Sequence, residues 1–98
     1  MALEIIWSKR AEKKFDKITI YLNDSFGKST TQSFVRKVFQ SLDILAEFPE
    51  IGTVENQKEN IRGLTIMKNI NIFYMIHDKK IYLLDFFDNR QNPSKKRF

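Results

Sequence analysis

A run of β-branched and aromatic residues between Ile61 and Pro93 constrains the fold of this chain more than any other feature. Such residues favour pleated, half-buried surfaces, and short polar segments divide the run into three. Short polar segments that suit tight turns separate the three parts: Lys68 to Asn71 for the first turn, and either Asp78-Lys79 or Lys79-Lys80 for the second. The expected strands lie around Leu64 and Ile66, over Ile72–Ile76 and over Ile81–Phe87. The sequence therefore predicts three consecutive antiparallel strands.

The first third of the chain predicts a strand followed by a helix. Leu3–Trp7 is a short apolar run, and Ser8 after it is suited to cap a helix because its hydroxyl accepts a bond from an amide of the first turn. Apolar residues then recur every three or four positions, which indicates one buried stripe. The stripe consists of Ala11, Phe15, Ile18, Leu22 and Phe26. Gly27 is expected to end this helix.

A second helix should follow directly. Ser29, Thr30 and Thr31 offer caps. A second apolar stripe begins at Phe34 or Val35 and runs through Val38, Leu42 and Leu45. Pro49 disfavours helical angles at the residue before it, so this helix should end by Glu47. The segment Ile51–Asn60 is polar, and we expect a mobile loop there.

The predicted element order is β-α-α-β-β-β in a single domain over residues 1–98. The predicted fold class is α+β, with a helical hairpin packed on one face of a four-stranded, mainly antiparallel sheet, because this arrangement buries both apolar stripes. On the last strand, Tyr82, Leu84 and Phe86 should point one way and Ile81, Leu83, Asp85 and Phe87 the other. The sheet face away from the helices is then the natural binding surface.

The charge balance favours an acidic partner. The chain of 98 residues carries a formal net charge of +5, which suits nucleic acid, an acidic protein or a membrane surface. The absence of cysteine excludes a disulfide framework, a thiolate metal site and a cysteine nucleophile. No apolar run reaches the roughly 18 residues of a membrane span, and no signal-peptide pattern opens the chain. We expect a cytoplasmic protein without a cofactor or a membrane.

Four segments, in order, resemble a known family. They are Ile5-Ile6-Trp7-Ser8-x-x-Ala11, Leu45-Ala46-Glu47-Phe48-Pro49-Glu50-Ile51-Gly52, Ile61-Arg62-Gly63-Leu64, and Phe86-Phe87-Asp88-Asn89-Arg90-Gln91-Asn92-Pro93. Together they are similar to the RelE/ParE superfamily of bacterial toxins, from type II toxin–antitoxin (plasmid stabilisation) systems. The resemblance covers nearly the whole chain and implies the same β-α-α-β-β-β order. It also implies a cognate antitoxin that is acidic and amphipathic, covering the helical hairpin or adding to the sheet.

The resemblance implies one of two targets. Some members cut mRNA in the ribosome and would act here as a metal-independent endoribonuclease, whereas others poison DNA gyrase without cutting RNA. RNA cleavage needs a base, an acid and cations around the phosphate. The candidates for a catalytic site are Arg62, Lys68, Arg90 and His77, and the candidates for nucleic-acid binding are Lys95, Lys96 and Arg97. The basic charge and the positions of Arg62, Lys68 and Arg90 favour the ribonuclease.

Two departures from the ribonuclease pattern support the alternative. The middle strand has no Arg after Tyr74, and the tail after Arg90 contains neither Tyr nor His. A gyrase-binding toxin therefore stays open, as does a non-toxic basic domain with the same fold. We expect Asp85 to pair with a basic residue on a strand rather than to bind a metal with Asp88, because residues three apart point to opposite faces. The basic residues between Lys9 and Lys17 are expected to form a solvated helix face.

Overall fold

The computed structural model describes residues 2–89 of the chain. Two long helices separate the first strand from four later ones. The elements are β1 (Glu4–Trp7), α1 (Lys9–Phe26), α2 (Lys28–Glu47), β2 (Thr53–Asn56), β3 (Ile61–Met67), β4 (Ile70–His77) and β5 (Lys80–Asp88). The predicted α+β class, with a helical hairpin against a mainly antiparallel sheet, is confirmed.

The sheet has the strand order β1-β5-β4-β3-β2, with β1 parallel to β5 and the other neighbours antiparallel. The predicted number of four strands is wrong by one. The extra strand, β2, lies inside the segment Ile51–Asn60 that was expected to be a mobile loop. Its pairing with β3 uses main-chain groups, for example at Thr53 opposite Gly63, and main-chain pairing needs no apolar pattern. A short polar edge strand therefore leaves little trace in the sequence.

Both helices bury most of the predicted apolar stripes against the sheet, but Phe26, the last residue of the α1 stripe, is 52% exposed. The Ser8 hydroxyl accepts a hydrogen bond from the Ala11 amide at 3.0 Å, so the predicted cap of α1 is present. Gly27, at φ 91°, ends α1 and opens α2, and this positive angle favours glycine. Fully buried helix and strand residues form one core cluster, which includes Ile18, Leu22, Phe34, Val38, Leu45, Ile72, Tyr74, Leu83 and Phe86.

An irregularity in β5 changes which side chains share a face. Phe73 of β4 pairs with Asp85, but the next residue, Tyr74, pairs with Leu83, so Leu84 has no partner. The extra residue is a β-bulge, and it lets both Leu83 and Phe86 join the core. The strict alternation predicted for β5 is therefore wrong: Leu83 belongs with Phe86, and Asp85 lies on the opposite face.

The hairpin between β4 and β5 closes at Asp78-Lys79, the first of the two predicted positions. His77 pairs with Lys80, and the two residues between them, Asp78 and Lys79, have φ of 52° and 60°. Positive φ at both central residues is the pattern of a type I′ turn, whose twist matches that of the flanking strands. The turn fixes the register of the two longest strands.

Candidate functional site

Arg62, the first predicted catalytic residue, lies on the helix side of the sheet. It pairs with Tyr74, whose side chain belongs to the core. Its Nη1 donates to the carbonyl of Glu50 at 3.0 Å and to that of Gly52 at 2.9 Å, and its Nε is buried. The guanidinium thus holds the loop between α2 and β2.

Tyr74 completes this attachment of the loop. Its fully buried hydroxyl accepts from the amide of Gly52 at 3.0 Å and donates to the carbonyl of Pro49 at 2.7 Å. Burial raises the pKa of the Tyr74 hydroxyl above 10.0, and the Gly52 hydrogen bond and the Arg62 charge lower it by less. The hydroxyl therefore keeps its proton at neutral pH and already donates it. We call Arg62, Tyr74 and the loop Pro49–Gly52 the loop clamp.

Lys68 lies at the opposite end of β3. It is exposed in the turn between β3 and β4, six residues from Arg62, which corresponds to roughly 20 Å along a strand. The neighbouring carbonyl of Asn69 accepts a hydrogen bond from the Asn89 amide at 2.8 Å. Lys68 is therefore close to the end of β5 and far from Arg62.

His77 is separated from both of these residues. It is exposed at the end of β4, beside the type I′ turn. It lies three residues beyond Tyr74, so its side chain points to the opposite face of the sheet from Arg62. Lys68 is at the other end of β4. The structure does not bring Arg62, Lys68 and His77 together, and their catalytic role stays a prediction.

The other predicted site residues lie outside the described part of the chain. They are Arg90, the fourth catalytic candidate, and Lys95, Lys96 and Arg97, the candidates for nucleic-acid binding. Their roles also stay predictions.

A second charged cluster joins α1 to β5. The Asp85 side chain is 4% exposed, and its two oxygens contact Arg10 Nη2 at 3.1 Å and Lys14 Nζ at 3.2 Å. Lys14 Nζ also lies 5.8 Å from the ring centroid of Phe87, within cation–π range. We call these residues the Asp85 cluster. The expectation that Asp85 pairs with a strand residue is wrong, because both its partners are on a helix.

The position of α1 explains these partners. β1 pairs with β5 only from Lys80 to Leu83, so the later part of β5 has no strand on that side. Ser8 occupies the edge instead, with its amide bonded to the Leu83 carbonyl and its hydroxyl to that of Leu84. The first turns of α1 therefore start beside Asp85. The four-residue spacing between Arg10 and Lys14 shows that both lie on the same side of the helix. It does not show that this side faces Asp85 across the edge of the sheet.

Among residues 2–89, no group of three or more potential metal-binding side chains comes together. None of the helices in this range is both long and apolar enough to cross a membrane. Asp85 and Asp88 are both buried, and Asp85 is engaged by the two cations of α1.

Comparison with known families gives a match over nearly the whole chain. Residues 5–93 match the family described as the ParE toxin of the type II toxin–antitoxin system parDE. The chain belongs to the ParE toxin family. This confirms the RelE/ParE resemblance of the four sequence segments. No functionally curated protein matches this ParE-family chain in sequence.

Solved structures show the same fold at low sequence identity. The chromosomal ParDE system from P. aeruginosa matches at 15% identity with a TM-score of 0.74, covering 89% of this chain and 96% of that one. A mutant E. coli RelE in the free state matches at 13% identity and a TM-score of 0.64, covering 95% and 90%. The E. coli DinJ–YafQ toxin–antitoxin complex matches at 9% identity and a TM-score of 0.63, covering 94% and 98%. ParE-family and RelE-like proteins therefore share this architecture.

Proposed function

We propose that this ParE-family protein is a growth-arresting toxin that binds DNA gyrase and does not cut RNA. The observation that carries the proposal is the loop clamp. Its arginine, Arg62, is one of the four catalytic candidates, and it donates to two loop carbonyls on the helix side of the sheet. Metal-free RNA cleavage needs cations and proton-transferring groups around one phosphate. In the described residues, Arg62, Lys68 and His77 do not meet.

The sequence pattern gives independent support. Strand β4 reads Asn71-Ile72-Phe73-Tyr74-Met75, without the Arg that follows a Tyr in many ribonuclease relatives, and no Tyr or His follows Arg90. The family match is to ParE toxins. These features favour a toxin that works by binding.

Ribosome-dependent mRNA cleavage is the second candidate, and one contact favours it. The hydrogen bond between the Asn89 amide and the Asn69 carbonyl brings the end of β5 beside the turn that carries Lys68. Arg90 follows directly in sequence. In this second candidate function, Lys68 and Arg90 would supply the cations that contact the mRNA phosphate, and the substrate would be mRNA in the ribosome.

Supercoiling of relaxed plasmid by purified gyrase tests the first proposal. We expect inhibition that grows with toxin concentration and disappears when the cognate antitoxin is added. Lys68→Ala and His77→Ala should inhibit as strongly as the unaltered protein, because neither residue is needed for binding without cleavage. Full supercoiling activity at saturating toxin would contradict the proposal. A protein that leaves growth unaffected when expressed alone would instead indicate the non-toxic domain.

We further propose that the cognate antitoxin pairs with β2. This strand is at the edge of the sheet, and an edge strand presents unpaired main-chain groups. Large apolar side chains are exposed beside it: Phe48, Ile51 and Val54 are 65%, 52% and 48% exposed. An acidic, amphipathic segment can pair with β2 and bury these side chains, while its charge complements the basic toxin.

Co-purification of a tagged antitoxin tests this placement. Val54→Lys should release the antitoxin, because a charge then lies in the new interface. The matched control is Ile20→Lys, which changes an exposed residue on α1. Release by Ile20→Lys but not by Val54→Lys would move the antitoxin to the helical hairpin.

A further inference from the structure

The outer surface of α1 gathers positive charge on one side. Five basic residues fall within roughly 140° of the helix circumference at 100° per residue, beside the buried side of α1. They are Lys9, Arg10, Lys13, Lys14 and Lys17. The two acidic residues in the same stretch, Glu12 and Asp16, fall outside this sector. The charges are therefore separated around the helix, although they alternate along the sequence.

These residues line an open cavity of about 610 Å³, together with Asp16. Two of the cations are held in place by the Asp85 cluster, because Asp85 is buried and binds both Arg10 and Lys14. Their side chains nevertheless remain 55% and 32% exposed. Ordering long side chains costs conformational entropy, so cations that are already anchored lose less of it when they bind a ligand.

Between Lys9 and Lys17 the face carries no large exposed apolar side chain, and Ile20, which is 62% exposed, follows it as a single apolar residue on the same side of α1. Protein–protein interfaces bury an apolar centre, which this face does not offer, whereas the region around Phe48 and Val54 does. A phosphate backbone needs no such centre, because repeated Lys and Arg contacts supply most of its non-specific binding. The chemistry of the face therefore favours a nucleic acid over an acidic protein segment.

We propose that the basic face of α1 binds the phosphodiester backbone of a nucleic acid without reading its sequence. Lys9, Lys13 and Lys17 are exposed and supply mobile phosphate contacts. Arg10 and Lys14 supply contacts with fixed positions. This inference does not depend on whether the toxin binds gyrase or cuts mRNA, because none of the five basic residues of this face is a catalytic candidate or part of the loop clamp.

Fluorescence anisotropy with the full chain tests this binding. The probes are a labelled two-turn DNA duplex, a single-stranded RNA of the same length, and poly-glutamate of matched charge, each titrated over a range of salt concentrations. Binding to duplex and RNA alike, or to one of them, supports the proposal and identifies the source of the backbone. Absence of binding to both nucleic acids at low salt overturns it.

A pair of charge-reversed variants shows whether the face itself is used. Lys13→Glu combined with Lys17→Glu should weaken binding at least about tenfold and reduce the slope of log K against log salt by about two, since each phosphate contact contributes close to one. The control is Arg36→Glu combined with Lys37→Glu, which makes the same change in net charge on exposed positions of α2. Circular dichroism and thermal melting should show both variants folded.

Two results would overturn the proposal despite binding. Equal weakening by both variant pairs would mean that only the net charge of the protein matters. Poly-glutamate binding as tightly as the nucleic acids, with the same loss in Lys13→Glu/Lys17→Glu, would assign the face to an acidic protein partner. Neither result bears on the supercoiling assay, so the two proposals fail separately.

Discussion

The loop clamp and the Asp85 cluster use cations in opposite ways. Arg62 donates to two neutral carbonyls on the helix side of the sheet, and its task is to attach a loop. Arg10 and Lys14 share one buried carboxylate at the sheet edge, yet their side chains stay partly exposed. Arg62 on β3 thus uses its hydrogen bonds within the fold, whereas Arg10 and Lys14 on α1 remain accessible to a ligand. We therefore expect the stability of the two regions to respond differently to mutation, salt and pH.

The largest effect is expected where the loop clamp is tightest. A Cβ on Gly52 would lie 2.6 Å from Tyr74 Oη and 2.7 Å from the Gly63 carbonyl oxygen, closer than real contacts allow. Gly52→Ala should therefore lower the free energy of unfolding by about 3 kcal/mol. Urea denaturation measures this, with exposed Thr53→Ala as the control. Equal stability of the two variants would show that the loop can move away freely.

Replacing Arg62 of the loop clamp should lower the free energy of unfolding somewhat less than Gly52→Ala does. Arg62→Ala leaves the carbonyls of Glu50 and Gly52 without their donor, and we expect a loss of about 2 kcal/mol in unfolding free energy. Arg62→Lys should recover only part of this, because lysine lacks the planar fork. Growth arrest measured with the same variants shows whether Arg62 acts only on stability or also on toxicity. An Arg62→Ala protein of normal stability that no longer arrests growth would assign Arg62 to the functional site.

The Asp85 cluster should contribute less to stability and more to salt dependence. Asp85→Asn keeps the shape but removes the charge, and we expect a loss of about 1 kcal/mol because both cations remain partly solvated. The difference between Asp85→Asn and the unaltered protein should shrink as salt is added, since salt screens ion pairs. The difference caused by Arg62→Ala should change little. Melting temperatures at several salt concentrations test this, and a salt-independent Asp85→Asn effect would remove the contrast.

The smallest effect is confined to alkaline solution. Because the pKa of Tyr74 is raised above 10.0, the folded protein keeps this proton after the unfolded chain has lost it. This contribution to stability is full below pH 10.0 and is lost as pH rises through the folded pKa. Tyr74→Phe should remove that part of the alkaline decline, and Tyr82→Phe serves as the control. Identical alkaline profiles for the two variants would contradict the buried-hydroxyl assignment.

Periodicity predicts most of this fold because most of its energy comes from apolar burial. Local patterns in the sequence indicate several features of the fold. They are the apolar stripes of α1 and α2, the cap at Ser8 and the turn near Asp78–Lys79. The strand β2 escapes prediction because its pairing is through the main chain. The bulge at Leu84 escapes because it depends on register against β4, which no local pattern encodes.

The candidate site was harder to predict than the fold. Arg62 and His77 lie on the neighbouring strands β3 and β4, and Lys68 lies in the turn between them. The sequence alone does not tell which face or which end of the sheet each residue occupies. One residue of shift reverses the face of a side chain, and six residues separate two ends of a sheet. The family resemblance supplied the toxin class but not the target. The partners of Asp85 required knowledge of where α1 starts along β5.

Mapping the ends of a defined mRNA in reconstituted translation tests the central claim, that this toxin acts without cutting RNA. The reactions contain purified protein, with and without ribosomes, and include Lys68→Ala and Arg90→Ala. We predict that the mRNA stays intact at toxin concentrations that block gyrase supercoiling. New mRNA ends that need ribosomes and disappear with Lys68→Ala or Arg90→Ala would contradict the claim and establish the protein as a ribosome-dependent endoribonuclease.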